Sequence, residues 1–232
     1  LARLEQNPTI KTEMKEKGFA RNVPVGFLTY PIAQAADILL FKSDVVPVGE
    51  DQFPMVEATN EIAEKFNRIY GLVLKKAKPL ASDVRRLSGI DGKAKMSKSL
   101  GNAIFLSDSA EEVRRKVMQM YTDPGHIHVR DKGKVKGNVV FEYLYAFDPK
   151  KNEVKKLKEQ YQKGGLGDVV LKHRLIGILE DLLGPIRARR AKIAKNREKV
   201  FKILEEGTKK ARRSAGATMK EVRKAMHLEY NF

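Results

Sequence analysis

The sequence contains no cysteine, which excludes disulfides, cysteine-based zinc sites and thiol chemistry for its 232 residues. It also lacks any apolar run near the roughly 18 residues that a membrane span needs, and its first residues do not have the pattern of a signal peptide, so we expect none. We therefore expect a reducing, cytoplasmic location and no membrane partner. A hydrophobic fraction of 42% excludes a disordered chain and provides enough apolar side chains for a core.

Positive charge is concentrated in the second half of the chain. Residues 1–107 contain 16 Lys and Arg against 12 Asp and Glu, whereas residues 108–232 contain 30 against 17. Such an excess predicts a partner rich in phosphate, because neutralised phosphates release counterions. A solvated, highly charged helical surface is the alternative. Charge alone does not separate tRNA, rRNA, DNA or an anionic membrane.

The first half alternates the patterns of helices and strands. Residues 30–41 have a helical pattern with proline at its opening, and the β-branched segment 44–48 that follows predicts a buried strand ending at Gly49. A second helical pattern covers residues 52–70. This order predicts an α/β fold with a parallel sheet, in which ligands bind at the carboxyl ends of the strands, here around residues 48–52.

The second half has the patterns of helices only. Ser109 is a predicted N-cap, followed by two glutamates in the first helical turn. Residues 168–183 and 185–207 predict two amphipathic helices, and residues 217–227 predict a short last helix. The pattern changes near residue 107, which predicts a boundary between two domains.

The segment Lys95–Ser99 reads Lys-Met-Ser-Lys-Ser and lies between Gly92 and Gly101. Two lysines and two hydroxyls between glycines predict a mobile cationic loop that closes over a polyphosphate. Its cations would stabilise the charge that builds on a leaving pyrophosphate. For any such string taken alone, an exposed loop without function is the alternative.

Two further groups of polar residues lie on either side of the predicted strand. The segment Gly49–Gln52 follows it at a helix start, where backbone amides suit phosphate and a carboxylate suits a ribose hydroxyl pair. Favourable first-turn acids are the alternative there. Tyr30, Gln34 and Asp37 share one helix face among small apolar residues, which suits polar contacts to the edge of an aromatic ligand. A capped, partly exposed helix is the alternative for that face.

Together these motifs resemble those of the bacterial tryptophanyl-tRNA synthetases, a family of class I aminoacyl-tRNA synthetases. The resemblance runs nearly end to end and depends mainly on residues 26–40, 46–52 and 95–99. It implies part of a Rossmann-like catalytic domain with a parallel sheet at residues 1–107, including the cationic loop. It also implies an all-α anticodon-binding domain at residues 108–232, whose last helix returns to the catalytic domain.

The resemblance also assigns roles to individual residues. Lys95 and Lys98 match the catalytic lysines that contact pyrophosphate. The residues that match ATP contacts are Gly49, Glu50, Asp51, Lys95, Met96, Ser97, Lys98, Ser99 and, with a looser flanking match, Lys11. Those that match tryptophan contacts are Tyr30, Gln34, Asp37, Val46, Val48 and Gln52. Asp37 would accept the indole N–H. Many bacterial relatives carry Met where this chain has Gln34, which leaves open whether Asp37 binds the indole alone or together with Gln34.

The implied activity is ATP-dependent formation of tryptophanyl-adenylate, followed by transfer to tRNA(Trp) in protein synthesis. The implied ligands and partners are ATP with Mg²⁺, L-tryptophan, tRNA(Trp) and a second copy of the chain in a homodimer, with no DNA. No structural metal is expected, because His126 and His128 lack a third ligand at a familiar spacing. Tyrosyl-tRNA synthetase is a close rival, and a non-catalytic RNA-binding relative is a rival from another class.

A class I synthetase also has a HIGH-like motif in its first strand–helix turn, and this sequence has no such string. Its histidines all lie in the second half, at His126, His128, His173 and His227. The chain also begins with Leu1 rather than Met. We therefore expect a piece of a longer protein that does not activate tryptophan by itself, although its parent does.

Overall fold

The computed structural model describes residues 2–19, 22–81, 84, 87–93, 96–98 and 100–229. Its helices and strands are, in chain order, α1 (Ala2–Gln6), α2 (Pro8–Glu16), α3 (Val25–Leu40), β1 (Val45–Val48), α4 (Phe53–Tyr70), β2 (Lys78–Ala81), α5 (Ala110–Met118), α6 (Val139–Phe147), α7 (Lys151–Lys163), α8 (Asp168–Ala194) and α9 (Arg197–Ala225). A short 3₁₀ turn, Glu50–Gln52, connects β1 to α4.

The chain forms two compact units. The first unit comprises Leu1–Arg85 together with Phe201–Phe232, and the second comprises Arg86–Val200. Within the first unit, Glu221 of α9 forms an ion pair with Lys42 at 2.7 Å. The proposed domains, 1–107 and 108–232, stay a prediction.

The first unit contains the predicted parallel strands. β1 pairs with β2 in parallel, so that Val45 lies beside Lys78 and Val48 beside Ala81. The connection between them contains α4, as expected for parallel strands, which need a crossover. The structure therefore confirms the α/β class for this part of the chain, and the helical pattern 52–70 corresponds closely to α4.

Only one face of β1 packs against a core. Val46 and Val48 pack against a small cluster formed by Ile38, Val56 and Ala77. Val45 points to the opposite face, because side chains alternate along a strand, and it is 48% exposed. The prediction of a buried strand is therefore wrong for the exposed face and met only in part on the other, where Val46 and Val48 are half-buried.

Helix α3 begins earlier than its pattern predicted. It starts at Val25, so Pro31 lies inside the helix rather than in its first turn. In the turn before Pro31, the rings of Phe27 and Tyr30 pack 5.7 Å apart, and a pair of side chains three residues apart favours a helix. This contact supports the turn upstream of a residue that cannot donate a backbone hydrogen bond.

Two helix boundaries predicted in the second half were wrong. Helix α8 continues through Pro185 to Ala194, and α9 contains the predicted short last helix within one long element. Burial explains the continuity of α8, because leucines four residues apart hold one face of it in the core: Leu171, Leu175, Leu179 and Leu183. The chain breaks instead at Asn196, whose Oδ1 accepts the amide of Lys199 at 2.9 Å.

The second unit has a core in which α5, α6, α7 and α8 meet. Its largest buried side chains are Phe141, Tyr143 and Tyr161, and the rings of Phe141 and Tyr161 meet edge to face at 5.2 Å. The predicted N-cap is confirmed, since Ser109 Oγ accepts the amide of Glu112 at 3.1 Å. Leu87 and Ile90, in the segment before the cationic loop, pack against this core.

Arg174 connects α8 to the start of α7 through two carboxylates. Its Nε donates to Asp148 Oδ2 at 2.7 Å, and its Nη2 lies 2.7 Å from Glu153 Oε2. Burial alone would raise the pKa of Asp148, but hydrogen bonds from Arg174 and from the Lys150 amide outweigh it and lower that pKa. The hydrogen bond from Arg174 also lowers the pKa of Glu153.

We expect Arg174→Met to destabilise the second unit near neutral pH and to have much less effect in acid. A carboxylate with a lowered folded-state pKa stabilises the fold above its unfolded pKa of about 4, and this contribution is lost as the pH falls through the folded value. The loss in the free energy of unfolding should be about 2 kcal/mol at pH 7, mainly from the charged hydrogen bond to the buried Asp148. Urea titrations at pH 7 and in acid would measure it, with exposed Arg189→Met as the control. An equal loss at both pH values would contradict this electrostatic role.

Candidate functional site

A groove opens at the carboxyl ends of the parallel strands, where the sequence predicted ligand binding. Its volume is about 460 Å³, and its lining residues are Pro47, Val48, Gly49, Leu80, Ala81 and Val84. The groove has the size of a small-molecule site. Both strands contribute their last residues to it, because parallel strands end at the same edge of a sheet.

Gly49 allows a carboxylate to lie over the end of β1. A Cβ at this position would be 2.5 Å from Asp51 Oδ1. Glu50 and Asp51 occupy the first turn of the 3₁₀ segment that leads into α4. The predicted phosphate- and ribose-binding residues therefore lie together at the strand end.

Gln52 connects residues that the sequence assigned to two different ligands. Gln34 Nε2 on α3 donates to Gln52 Oε1 at 3.4 Å, and Gln52 Nε2 donates to Asp51 Oδ2, also at 3.4 Å. The structure thus brings predicted tryptophan contacts and a predicted ATP contact into one hydrogen-bonded series, which we call the glutamine bridge. The predicted indole-lining residues Val46 and Val48 pack against the adjacent cluster, and Val48 also lines the groove.

The remaining residues of the predicted α3 face have different surroundings. The Tyr30 hydroxyl donates to Glu13 Oε2 on α2 at 3.1 Å. Burial, with the nearby Glu13 carboxylate, raises the pKa of Tyr30 to about 12. Asp37 lies two turns further along α3 and is exposed. Its carboxylate is therefore available to a ligand, whereas the phenol is held by a residue that sequence reasoning missed.

Helix α2 fixes the position of the 3₁₀ segment. Thr9 Oγ1 donates to the carbonyl of Asp51 at 2.6 Å, and Asn7 Nδ2 donates to the carbonyl of Pro54 at 3.1 Å. Asn7 also caps α2, since its Oδ1 accepts the amide of Thr9. Sequence reasoning missed both residues, although Asn followed by Pro is a recognisable start of a helix. Lys11, predicted to contact ATP, is exposed and donates to Gln6 Oε1 at 2.7 Å.

The cationic loop is described in part. Lys95 and Ser99 lie outside the described residues, and the others belong to the second unit. Met96 packs against the core of that unit, and the amide of Ser97 donates to Asn102 Oδ1 at 2.8 Å. Lys98 is exposed to solvent. The loop is therefore anchored by an apolar side chain and a backbone contact, with a lysine at its surface.

The described residues contain no cluster of three or more His, Asp or Glu arranged to hold a metal ion. His126 is instead buried against the ring of Tyr161, with Nδ1 3.3 Å from Asp168 Oδ2. Within the described ranges, none of the helices is long and apolar enough to cross a bilayer.

Comparison with known proteins gives matches along nearly all of the chain. The family of class I tRNA synthetases for W and Y matches residues 1–184. The tryptophan–tRNA ligase of Streptococcus pyogenes is 52% identical over 236 positions, which cover 99% of this chain and 69% of the relative. The corresponding ligase of Streptococcus mutans is 53% identical with the same coverage.

Solved structures give the same result. Tryptophanyl-tRNA synthetase from Mycoplasma pneumoniae superposes with a TM-score of 0.75 at 28% identity, covering 99% of this chain and 69% of that one. The Campylobacter jejuni enzyme, complexed with ADP and tryptophan, superposes with a TM-score of 0.74 at 27% identity, covering 97% and 69%.

These matches confirm the resemblance that the sequence motifs indicated and favour tryptophan over tyrosine. The chain spans 69% of the length of the ligases it matches. It belongs to the class I tRNA synthetases for tryptophan and tyrosine and, within them, to the tryptophan–tRNA ligases.

Proposed function

We propose that this chain provides the tryptophan-binding helix face, the adenosine-binding strand end and the cationic loop of a tryptophan–tRNA ligase. The glutamine bridge is the observation that supports this proposal most directly. It joins the face of α3 to the carboxyl end of β1, so that an amino acid and a nucleotide bound there would be neighbours. Magnesium enters with ATP, and the cytoplasm is the proposed location.

The proposed reaction proceeds in two steps. The tryptophan carboxylate attacks the α-phosphorus of ATP, forming a new P–O bond while the bond to the bridging oxygen breaks and pyrophosphate leaves. A ribose hydroxyl at the tRNA end then attacks the carbonyl carbon of the adenylate, and AMP leaves. Positioning and charge stabilisation suffice for the first step, without a protein nucleophile. Lys95 and Lys98 are the groups that we assign to the leaving pyrophosphate.

The tryptophan site would lie on α3. Asp37 is exposed there, next to the exposed small side chains of Ala33 and Ala36, which leave space for a ring. Its carboxylate can accept the indole N–H, and Gln34 lies one turn earlier on the same helix. A site that hydrogen-bonds a ring N–H rejects analogues without it far better than an apolar slot does.

The helical unit offers a surface suited to RNA. Tyr145 is 53% exposed, and the ammonium groups of Lys151 and Lys158 lie 5.4 and 5.3 Å from its ring centroid. An exposed ring beside cations suits an unpaired base and its phosphates. We therefore propose that this surface binds RNA, and the similarity to tryptophan–tRNA ligases makes tRNA(Trp) the proposed partner. The homodimer implied by the resemblance stays a prediction.

Calorimetric titration of the chain with tryptophan and with tyrosine would test the amino-acid assignment. We expect tryptophan to bind more tightly, and Asp37→Ala to weaken its binding at least roughly tenfold, because a buried indole N–H would lose its acceptor. Glu57→Ala, on the exposed side of α4, removes an equal charge and serves as the control.

Unchanged tryptophan affinity in Asp37→Ala would remove that residue from the site. Tighter binding of tyrosine would instead favour the tyrosyl rival. A chain that bound RNA and neither amino acid would match the non-catalytic rival.

A further inference from the structure

Asn102 lies outside the five-residue motif but contacts two parts of the chain around it. One is residues 88–92, which we call the first arm of the cationic loop, and the other is Ser97 within the motif. Asn102 is 4% exposed. Its Oδ1 accepts the amide of Ser97 at 2.8 Å, and its Nδ2 donates to Asp91 Oδ1 at 3.2 Å. Its carbonyl accepts the amide of Ile90 at 2.9 Å. One buried residue therefore contacts Ile90 and Asp91 before the motif and Ser97 within it.

The first arm is itself held by the core of the second unit. The carbonyl of Ile90 accepts the amide of Tyr121 at 2.8 Å, and the carbonyl of Ser88 accepts the Tyr143 hydroxyl at 3.0 Å. A Cβ on Gly92 would lie 2.7 Å from the ring of Tyr121. The arm that Asn102 contacts is therefore a fixed reference for the loop.

The space for the Asn102 side chain depends on a glycine. A Cβ on Gly89 would lie 2.1 Å from Asn102 Nδ2 and 2.5 Å from its Cγ. Any larger residue at position 89 would displace the amide from Asp91 and Ser97. The absence of a side chain at Gly89 therefore lets the Asn102 amide reach both Asp91 and Ser97.

We infer that Asn102 is a positioning residue for the cationic loop. By holding the Ser97 amide, it sets the direction of the backbone immediately before Lys98 and so places that ammonium for contact with a polyphosphate. Asn102 acts through the backbone and does not touch the substrate. This inference rests on the proposed function, in which the loop binds the pyrophosphate portion of ATP.

An exchange of donor and acceptor tests the inference with inorganic tripolyphosphate as the probe. Asn102→Asp keeps an acceptor for the Ser97 amide but places a second carboxylate against Asp91. We expect roughly tenfold weaker tripolyphosphate binding by calorimetry, because the amide donor is lost and the two carboxylates repel each other. The double variant Asp91→Asn/Asn102→Asp restores one donor and one acceptor, and we expect its affinity to return to within about threefold of wild type.

Two controls separate positioning from charge and from folding. Asn152→Asp adds the same charge on the exposed surface of α7 and should leave affinity nearly unchanged. Gly89→Ala displaces the Asn102 amide without any change in charge and should weaken binding as Asn102→Asp does. Hydrogen exchange of the Ser97 amide reports the local contact directly, and it should be faster in both loop variants and normal in the double variant.

The outcomes distinguish the two proposals. Wild-type affinity in Asn102→Asp together with faster Ser97 exchange would overturn the inference while leaving the proposed function intact. Failure of the double variant to recover affinity would overturn it as well. If the wild-type chain did not bind tripolyphosphate, the proposed role of the loop would be wrong, and the inference would fall with it.

Discussion

Tryptophan-dependent exchange between ATP and pyrophosphate by the 232-residue chain is expected to stay at background. The sequence contains no HIGH-like string, and its first histidine is His126. Removing one group that stabilises transition-state charge typically costs about 10²–10³-fold in rate, and a whole phosphate-binding motif supplies several such groups. We therefore expect a rate at least roughly 10³-fold below that of a complete tryptophan–tRNA ligase.

The Streptococcus pyogenes ligase, assayed under the same conditions, provides the reference for this measurement. Tryptophan binding by the same sample, measured by calorimetry, would show that the chain is folded while exchange is absent. Robust tryptophan-dependent turnover would contradict the expectation and would mean that residues within the chain replace the HIGH-like motif.

The second large effect, on stability, is expected from replacing Lys116, a buried cation on α5 that contacts residues 103–108. Its Nζ lies 2.6 Å from Asp108 Oδ2 and 2.8 Å from the carbonyl of Ala103, and 4.6 Å from the ring centroid of Phe105. The side chains of Lys116 and Asp108 are 6% and 11% exposed. The pair thus ties α5 to residues 103–108 inside the second unit.

Lys116→Met is expected to reduce the free energy of unfolding of the second unit by about 3 kcal/mol, because it leaves a nearly buried carboxylate without its ammonium. The double variant Lys116→Met/Asp108→Asn should recover most of the loss, since both charges are then gone. The side-chain carbonyl oxygen at position 108 can still accept the Phe105 N–H. Urea titration followed by hydrogen exchange of the α5 amides would measure this unit alone.

Exposed Lys155→Met is the matched control for the lost charge. A double variant as unstable as Lys116→Met would show that the lysine acts through its packing rather than through neutralising Asp108.

Local patterns predicted α3, β1 and α4 of the first unit and the N-cap of α5 in the second, whereas α1, α2 and β2 were not predicted. The strand at 44–48, the helix at 52–70 and the Ser109 cap all follow from spacing and capping chemistry, which need no knowledge of distant residues. Pro185 misled the prediction because a proline favours a helix break locally, whereas the buried leucines of α8 stabilise a continuous helix. Burial in the folded core outweighed local preference there.

In the candidate site, too, local spacing predicted some features, and tertiary packing determined the others. Helical spacing predicted that Tyr30, Gln34 and Asp37 share α3, and the structure places them within that helix. Helical spacing could not predict that Glu13 accepts the Tyr30 hydroxyl or that Thr9 donates to the Asp51 carbonyl. Those contacts join segments whose proximity is set only by tertiary packing. The contact between Asn102 and Asp91 is of the same kind.

The glutamine bridge has a thermodynamic consequence. Both of its hydrogen bonds are long, at 3.4 Å, so Gln52 can reorient at small cost. A bound amino acid that moved Gln34 would alter the hydrogen bond between Gln52 and Asp51. A nucleotide bound at Asp51 would likewise alter the hydrogen bond between Gln34 and Gln52. Linkage makes such an influence reciprocal: whatever factor tryptophan contributes to nucleotide affinity, the nucleotide returns to tryptophan.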